Sequence, residues 1–142
     1  MKEVMTLTRV YRFSAGHRLY NPKFTDEENW RVFGKCTNKN GHGHDYYLEV
    51  TVTGNVDPES GMLVNVRDLD DAVGELLEEL DHKRLDVEHP FFRENFASGE
   101  LIVKYCWMRL EPALRSLGGA RLNHLKLWET PNNSFEYFVE ER

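Results

Sequence analysis

Two stretches in the first third of the chain alternate apolar and polar residues, and this pattern limits the fold more than any other feature. They cover residues 5–15 and 44–53, and both are rich in aromatic and β-branched side chains. Because successive side chains of a strand point to opposite faces, the alternation predicts two strands, each with one buried face.

The segment after the second strand has the composition of a turn followed by a further strand. Residues 57–61 read D-P-E-S-G, which favours a turn, and residues 62–66 offer the partner strand of a hairpin. Residues 18–41 contain many turn-forming residues and predict a long loop.

Two helices and two further strands follow. Leucines at helical spacing predict one helix that ends at Leu80, and a second begins with Ser98 as its N-cap. Pro112 lies inside the second helix, which predicts either a kink or a restart there, and a Gly-Gly pair ends it. The strands are predicted over 122–129 and 135–141, so the order is β-β-β-α-α-β-β. This order indicates an α+β domain spanning 1–142, with an antiparallel sheet that carries two helices on one face.

Composition excludes several classes of function. The chain has 142 residues, 40% of them hydrophobic, and a net charge of −6 without any basic run. An acidic surface disfavours binding to nucleic acid or to anionic membranes, and no apolar stretch is long enough to span a bilayer. Cys36 and Cys106 are expected to be thiols, which favours a cytoplasmic protein.

Three of the six histidines share a strand face. His42 and His44 are two residues apart, and His17 has the parity of the apolar face of the first strand. If the two strands pair, the three imidazoles converge, and three imidazoles with an open fourth position are typical of catalytic zinc. The alternative is that they are hydrogen-bonding residues at the edge of a loop.

Cys36 lies in a polar loop six residues before His42. It is interpreted as a fourth zinc ligand, a reactive thiol or an inert residue. Lys35 and Lys39 nearby would favour the thiolate, the reactive form.

Two further groups carry ionisable side chains. Asp81 and His82 follow the first long helix, where His82 either pairs with the carboxylate for proton transfer or only caps the helix. Glu129 faces inward by parity, and a buried carboxylate needs a partner, either an arginine or the amidine-like edge of a heterocyclic ligand.

Together these motifs resemble the 6-pyruvoyltetrahydropterin synthase family, which includes the 6-carboxytetrahydropterin synthases of queuosine biosynthesis. The matching segments run in family order over nearly the whole chain: F-S-A-G-H (13–17), C-T-N-K-N-G-H-G-H (36–44), G-x-V-D-P-x-x-G-M (54–62), L-D-H (80–82) and W-E-T (128–130).

The resemblance implies the tunnelling fold (T-fold), in which four-stranded antiparallel sheets with two helices assemble into an oligomeric barrel. It implies a homo-oligomer, typically a trimer that pairs into a hexamer, with active sites between subunits. It further implies a role for each of these residues: His17, His42 and His44 as zinc ligands, Cys36 as the base, Asp81 and His82 as its helpers, and Glu129 as the pterin anchor.

The sequence departs from the family pattern before the second long helix. Where the family often has P-T-x-E-N, residues 97–101 read A-S-G-E-L, which keeps only Glu100 as a candidate substrate contact. The spacing C-x5-H-G-H resembles the pyruvoyl-forming branch.

The resemblance implies a zinc-dependent lyase that converts 7,8-dihydroneopterin triphosphate to 6-pyruvoyltetrahydropterin. The alternatives are a 6-carboxytetrahydropterin synthase, which also releases acetaldehyde, and a non-catalytic zinc-binding assembly module with Cys36 as fourth ligand. An anionic substrate requires local basic residues, and the candidates are Arg18, Arg31, Lys35 and Lys39.

Overall fold

A five-stranded sheet with helices packed on one face makes up the structure, a computed structural model that describes residues 3–140. The elements in chain order are β1 (Thr6–His17), α1 (Asp26–Phe33), β2 (His42–Gly54), α2 (Val66–Leu80), β3 (Lys83–Arg84), α3 (Leu85–Glu88), α4 (Pro90–Glu94), α5 (Gly99–Arg115), β4 (Ala120–Thr130) and β5 (Asn133–Tyr137). The α+β class predicted from the sequence is confirmed. The last residue of the strand predicted over 135–141 lies outside the described residues.

The strand order in the sheet is β3-β1-β2-β4-β5. The four long strands pair antiparallel, as predicted, whereas β3 adds two residues that run parallel to β1. The four-stranded sheet that the resemblance implies is therefore corrected to five strands. The fifth exists because the chain turns back at His82, which has a φ of 59°, and then lies against the free edge of β1.

The core lies between the sheet and the two long helices, α2 and α5. Alternate residues of β2, including Leu48 and Val50, are fully buried on the inner face, in agreement with the predicted alternation. Leu69 and Val73 of α2 and Ile102 of α5 meet them from the helical layer. Burial of this kind contributes about 1.5–3 kcal/mol for each large aliphatic side chain.

The predicted hairpin strand over 62–66 is wrong. The chain makes the expected turn, in which the Asp57 amide donates to the Met62 carbonyl at 2.9 Å, but no strand follows it. Both edges of β2 are already occupied by β1 and β4, so the segment has no partner there. Instead, Asn65 caps α2 by accepting a hydrogen bond from the Arg67 amide.

The predicted long loop over 18–41 is also wrong, because it contains α1 and a 3-10 turn at Gly34–Thr37. Thr25 and Glu28 form a capping box, in which each side chain accepts a hydrogen bond from the other residue's amide. This T-x-x-E signal is visible in the sequence.

The second long helix continues through Pro112 and does not restart there. Of the helices within residues 3–140, none is both long and apolar enough to cross a membrane. The short helices α1, α3 and α4 add to the two that were predicted.

A polar network centred on Glu79 connects α2 to α5 and to the start of α4. Glu79 accepts hydrogen bonds from the Tyr105 hydroxyl at 2.5 Å and from the Arg109 guanidinium at 2.9 Å. Buried His89, whose Nδ1 accepts from the Phe91 amide, contacts the same carboxylate through Nε2 at 3.3 Å. Burial raises the pKa of Glu79, but the hydrogen bonds from Tyr105 and Arg109 outweigh it and lower the pKa below 4.5.

We expect Glu79→Gln to lower the free energy of unfolding by about 1.5–3 kcal/mol at pH 7, because the charged acceptor of the network is lost. A lowered folded-state pKa means that the carboxylate stabilises the fold above the unfolded pKa of 4.5 and loses this effect as the pH falls further. Urea denaturation of both proteins at pH 7 and pH 3 measures the difference, which should shrink at pH 3. The exposed Glu75→Gln serves as the control, and an equal difference at both pH values would contradict the assignment.

Candidate metal centre

The three predicted histidines lie together at the end of the β1–β2 pair. His17 pairs directly with His42, and His44 lies opposite Ala15, so the three side chains share the inner face. Their candidate ligand atoms all lie within 4.8 Å of one another. The convergence predicted from parity therefore holds in distance as well as in direction.

The orientation of His17 is fixed by the main chain. Its Nδ1 donates to the Ala97 carbonyl at 2.6 Å, which leaves the Nε2 lone pair directed at the other two rings. His17 is 1% exposed, and its Nε2 lies 3.0 Å from Nε2 of His42. The His44 ring meets both other imidazoles edge-on, with centroids 5.2 and 4.8 Å away.

Burial lowers the pKa of all three imidazoles, and so favours their neutral form. Neutral imidazole is the form that binds metals. Among the described residues, no cysteine or carboxylate joins the group of ligand atoms. Three neutral nitrogen donors with no fourth protein ligand fit the open coordination of a catalytic zinc site better than a closed structural site.

Glu129 lies near the end of β4, and its charge affects the pKa of the three imidazoles and of Cys36. Its negative charge opposes the effect of burial on the pKa of each imidazole and adds to the raised pKa of the Cys36 thiol. It is half-buried, and its only side-chain hydrogen bond within the described residues comes from Asn133 at 3.4 Å. No arginine of the described residues pairs with it.

Cys36 lies in the 3-10 turn, whose backbone is held to the end of β1 by a hydrogen bond from the Leu19 amide to the Cys36 carbonyl. Burial raises the pKa of its thiol, and Glu129 raises it further. The prediction that Lys35 and Lys39 favour the thiolate is therefore wrong for the single chain, because neither lysine is among the groups that shift this pKa.

Two buried hydroxyls near Cys36 have no hydrogen-bond partner within residues 3–140, and sequence reasoning did not identify either. They are the Tyr46 hydroxyl and Oγ1 of Thr37. Tyr46 is fully buried between the Phe13 ring, which it stacks on at 4.8 Å, and the His44 ring. In the sequence, Tyr46 lies two residues after His44, so the strand period already predicts that both side chains share one face. Unpaired buried polar atoms are rare in proteins and often mark functional sites.

Asp81 and His82 form a pair, but on the other edge of β1. The Asp81 carboxylate contacts His82 Nδ1 at 2.9 Å and accepts from the Ser14 amide at 2.8 Å. The His82 side chain is 81% exposed. It lines a cleft of about 430 Å³ to which His44 contributes but Cys36 does not.

The remaining predicted residues are dispersed. Glu100 lies in the first turn of α5, exposed and without a side-chain hydrogen bond among the described residues. Arg18 lies over the Tyr20 ring at 4.2 Å and lines a cleft together with Lys39. Arg31 and Lys35 are not among the residues that line this cleft.

Comparison with known proteins places this arrangement in a family. The family model for 6-pyruvoyl tetrahydropterin synthase matches residues 6–140. The human 6-pyruvoyl tetrahydrobiopterin synthase is 42% identical over 92% of this chain and 89% of its own. The 6-carboxy-5,6,7,8-tetrahydropterin synthase of Aquifex aeolicus (strain VF5) is 29% identical over 94% of this chain and 98% of its own.

The solved structure of Caenorhabditis elegans 6-pyruvoyl tetrahydropterin synthase superposes with a TM-score of 0.88 at 36% identity, covering 97% of both chains. This likeness confirms the tunnelling fold implied by the sequence motifs. The chain belongs to the 6-pyruvoyl tetrahydropterin synthase family.

Proposed function

We propose that this chain is a 6-pyruvoyltetrahydropterin synthase, a lyase that eliminates triphosphate from 7,8-dihydroneopterin triphosphate with an internal redox shift. The observation that carries the proposal is the convergence of three imidazoles within 4.8 Å, in a chain that belongs to this family.

His17, His42 and His44 would hold a zinc ion. The fit is supported by the three nitrogen donors, by the hydrogen bond that orients His17, and by the absence of a fourth protein ligand among the described residues. When bound, zinc supplies Lewis acidity that makes C–H bonds of the substrate side chain more acidic.

Cys36 would take the proton from the substrate carbon. The surroundings of the single chain raise its pKa, so the thiolate needs positive charge nearby. In the proposed function, this positive charge is the zinc ion held by the three imidazoles. The nearby Glu129 would hold the pterin ring by accepting hydrogen bonds from its amidine-like edge, and Glu100 is a second candidate contact.

The Asp81–His82 pair would move protons during the redox shift, with the carboxylate orienting the imidazole. Within one chain, the cleft that His82 lines includes His44 but not Cys36. This separation supports an active site formed between subunits of a trimer-based hexamer, where the pair reaches the site of a neighbouring copy.

The triphosphate would be bound by Arg18 and Lys39, which line the same cleft, with Arg31 and Lys35 as further candidates. Local attraction is required because the chain carries a net charge of −6. The two cysteines are free thiols, which supports a cytoplasmic location.

The first test of the proposed function concerns the product. Incubation with 7,8-dihydroneopterin triphosphate should release triphosphate and yield a pterin that keeps the full side chain, as measured by mass spectrometry. Chelation should abolish turnover, and zinc should restore it. A 6-carboxy product with acetaldehyde would assign the chain to the queuosine branch, and turnover by metal-free protein would contradict the zinc site.

The second test of the proposed function concerns the base. Cys36→Ala should lower kcat by about 10²–10⁴-fold, because a positioned proton acceptor is lost, while zinc content is unchanged. Cys106→Ala is the matched control, since that thiol is fully buried in the core and its loss should affect stability rather than turnover.

Cobalt substitution distinguishes the lyase from a non-catalytic zinc module. An open site of three imidazoles should show no thiolate charge-transfer band, in wild type as in Cys36→Ala. A band that disappears in the variant would mean that Cys36 is the fourth ligand, and this would contradict its role as the base.

A further inference from the structure

Arg84 occupies a position beside the imidazole group that nothing in the sequence pattern indicates. It lies in β3, where it pairs with Gly16 of β1, next to the residue that provides the His17 imidazole. Its side chain is 31% exposed and extends over the turn that leads into β2.

All three nitrogens of the guanidinium donate hydrogen bonds. Nε and one terminal nitrogen donate to the two oxygens of Asp86 at 2.8 and 3.1 Å, which is a bidentate pair. The other terminal nitrogen donates to the Asn40 carbonyl at 3.2 Å. Asn40 lies two residues before His42, so Arg84 ties β3 directly to the turn that positions this imidazole.

Gly41 shows how closely this turn is packed. A Cβ on Gly41 would lie 2.8 Å from Cζ of Arg84 and 3.0 Å from the His17 carbonyl oxygen. The residue also has a φ of 71°, which favours glycine. The main chain before His42 therefore lies between the guanidinium and the end of β1, without room for a side chain at Gly41.

The location matters because His17 and His42 form the last pair of the β1–β2 ladder. The ends of strand pairs open more readily than their centres, so an end that must hold two imidazoles in place needs an additional tie. The contact from Arg84 to the Asn40 carbonyl is such a tie, and Asp86 fixes the direction of the guanidinium.

We propose that Arg84, held by Asp86, is a positioning residue that clamps the Asn40–Gly41 turn and so pre-organises His42 and His17 for metal binding. The proposal rests on the metal site of the proposed function. Residues that orient metal ligands typically affect metal affinity by about 10–100-fold when they are replaced.

Metal affinity of the purified full chain, measured by competition between Co²⁺ or Zn²⁺ and a chromophoric chelator, tests the proposal. Arg84→Gln should weaken binding by about 10–100-fold. Charge alone predicts the opposite sign, because removing a cation beside the site should strengthen the binding of a dication. Arg84→Lys keeps the charge but not the bidentate geometry, and it should also bind more weakly.

The matched control is Arg9→Gln. Arg9 lies in β1 and also makes a bidentate pair, with Asp70 at 2.6 and 3.0 Å. The length of strand between Arg9 and His17 is about 26 Å. Thermal unfolding of the metal-free proteins measures the loss of stability in each variant. Arg9→Gln should lose stability without losing metal affinity.

Each result has one interpretation. If wild type binds no metal, the proposed metal site fails. If wild type binds and Arg84→Gln binds equally well or more tightly, the positioning role is overturned while the metal site stands. If Arg84→Gln and Arg9→Gln both lose metal affinity in proportion to their loss of stability, Arg84 has only a structural role, which also overturns the proposal.

Discussion

The pairing of β1 with β2 is the interaction on which the rest of the site depends. Twelve residue pairs run from Thr6–Thr53 to His17–His42, and they set the register that brings three imidazoles to one face. A slip by one residue would move the side chains of one strand to the opposite face. The buried residues further along the same strands hold this register, since Leu48 and Val50 have no exposed surface.

Burial and one carboxylate together define the electrostatics of the site. Burial lowers the pKa of the imidazoles and raises the pKa of the Cys36 thiol, while Glu129 places a negative charge near all of them. Neutral donors beside a carboxylate form a region that attracts a cation. The Tyr46 hydroxyl, which has no partner among the described residues, adds a buried polar atom, and leaving such an atom unsatisfied costs about 1–3 kcal/mol.

Parity within strands predicted the inward direction of the histidines and of Glu129, because a strand has a fixed period of two. Parity could not predict the hydrogen bond from His17 to the Ala97 carbonyl, which depends on tertiary packing. The strand expected over 62–66 failed for a similar reason, since local alternation does not show which sheet edges are free. The helix α1 was predictable, because Thr25 and Glu28 have the spacing of a capping box.

His82 is held in a defined orientation although its side chain is exposed. Its φ of 59° is unusual for a residue other than glycine, its amide donates to the Ser14 carbonyl at 2.6 Å, and Asp81 fixes its ring. Restricting a side chain that is 81% exposed costs conformational entropy without any gain in core packing. Such a restraint is useful where the exposed imidazole must meet a surface in a defined orientation. In the proposed function, that surface belongs to a second copy of this chain, which presents its own Cys36 and imidazole group.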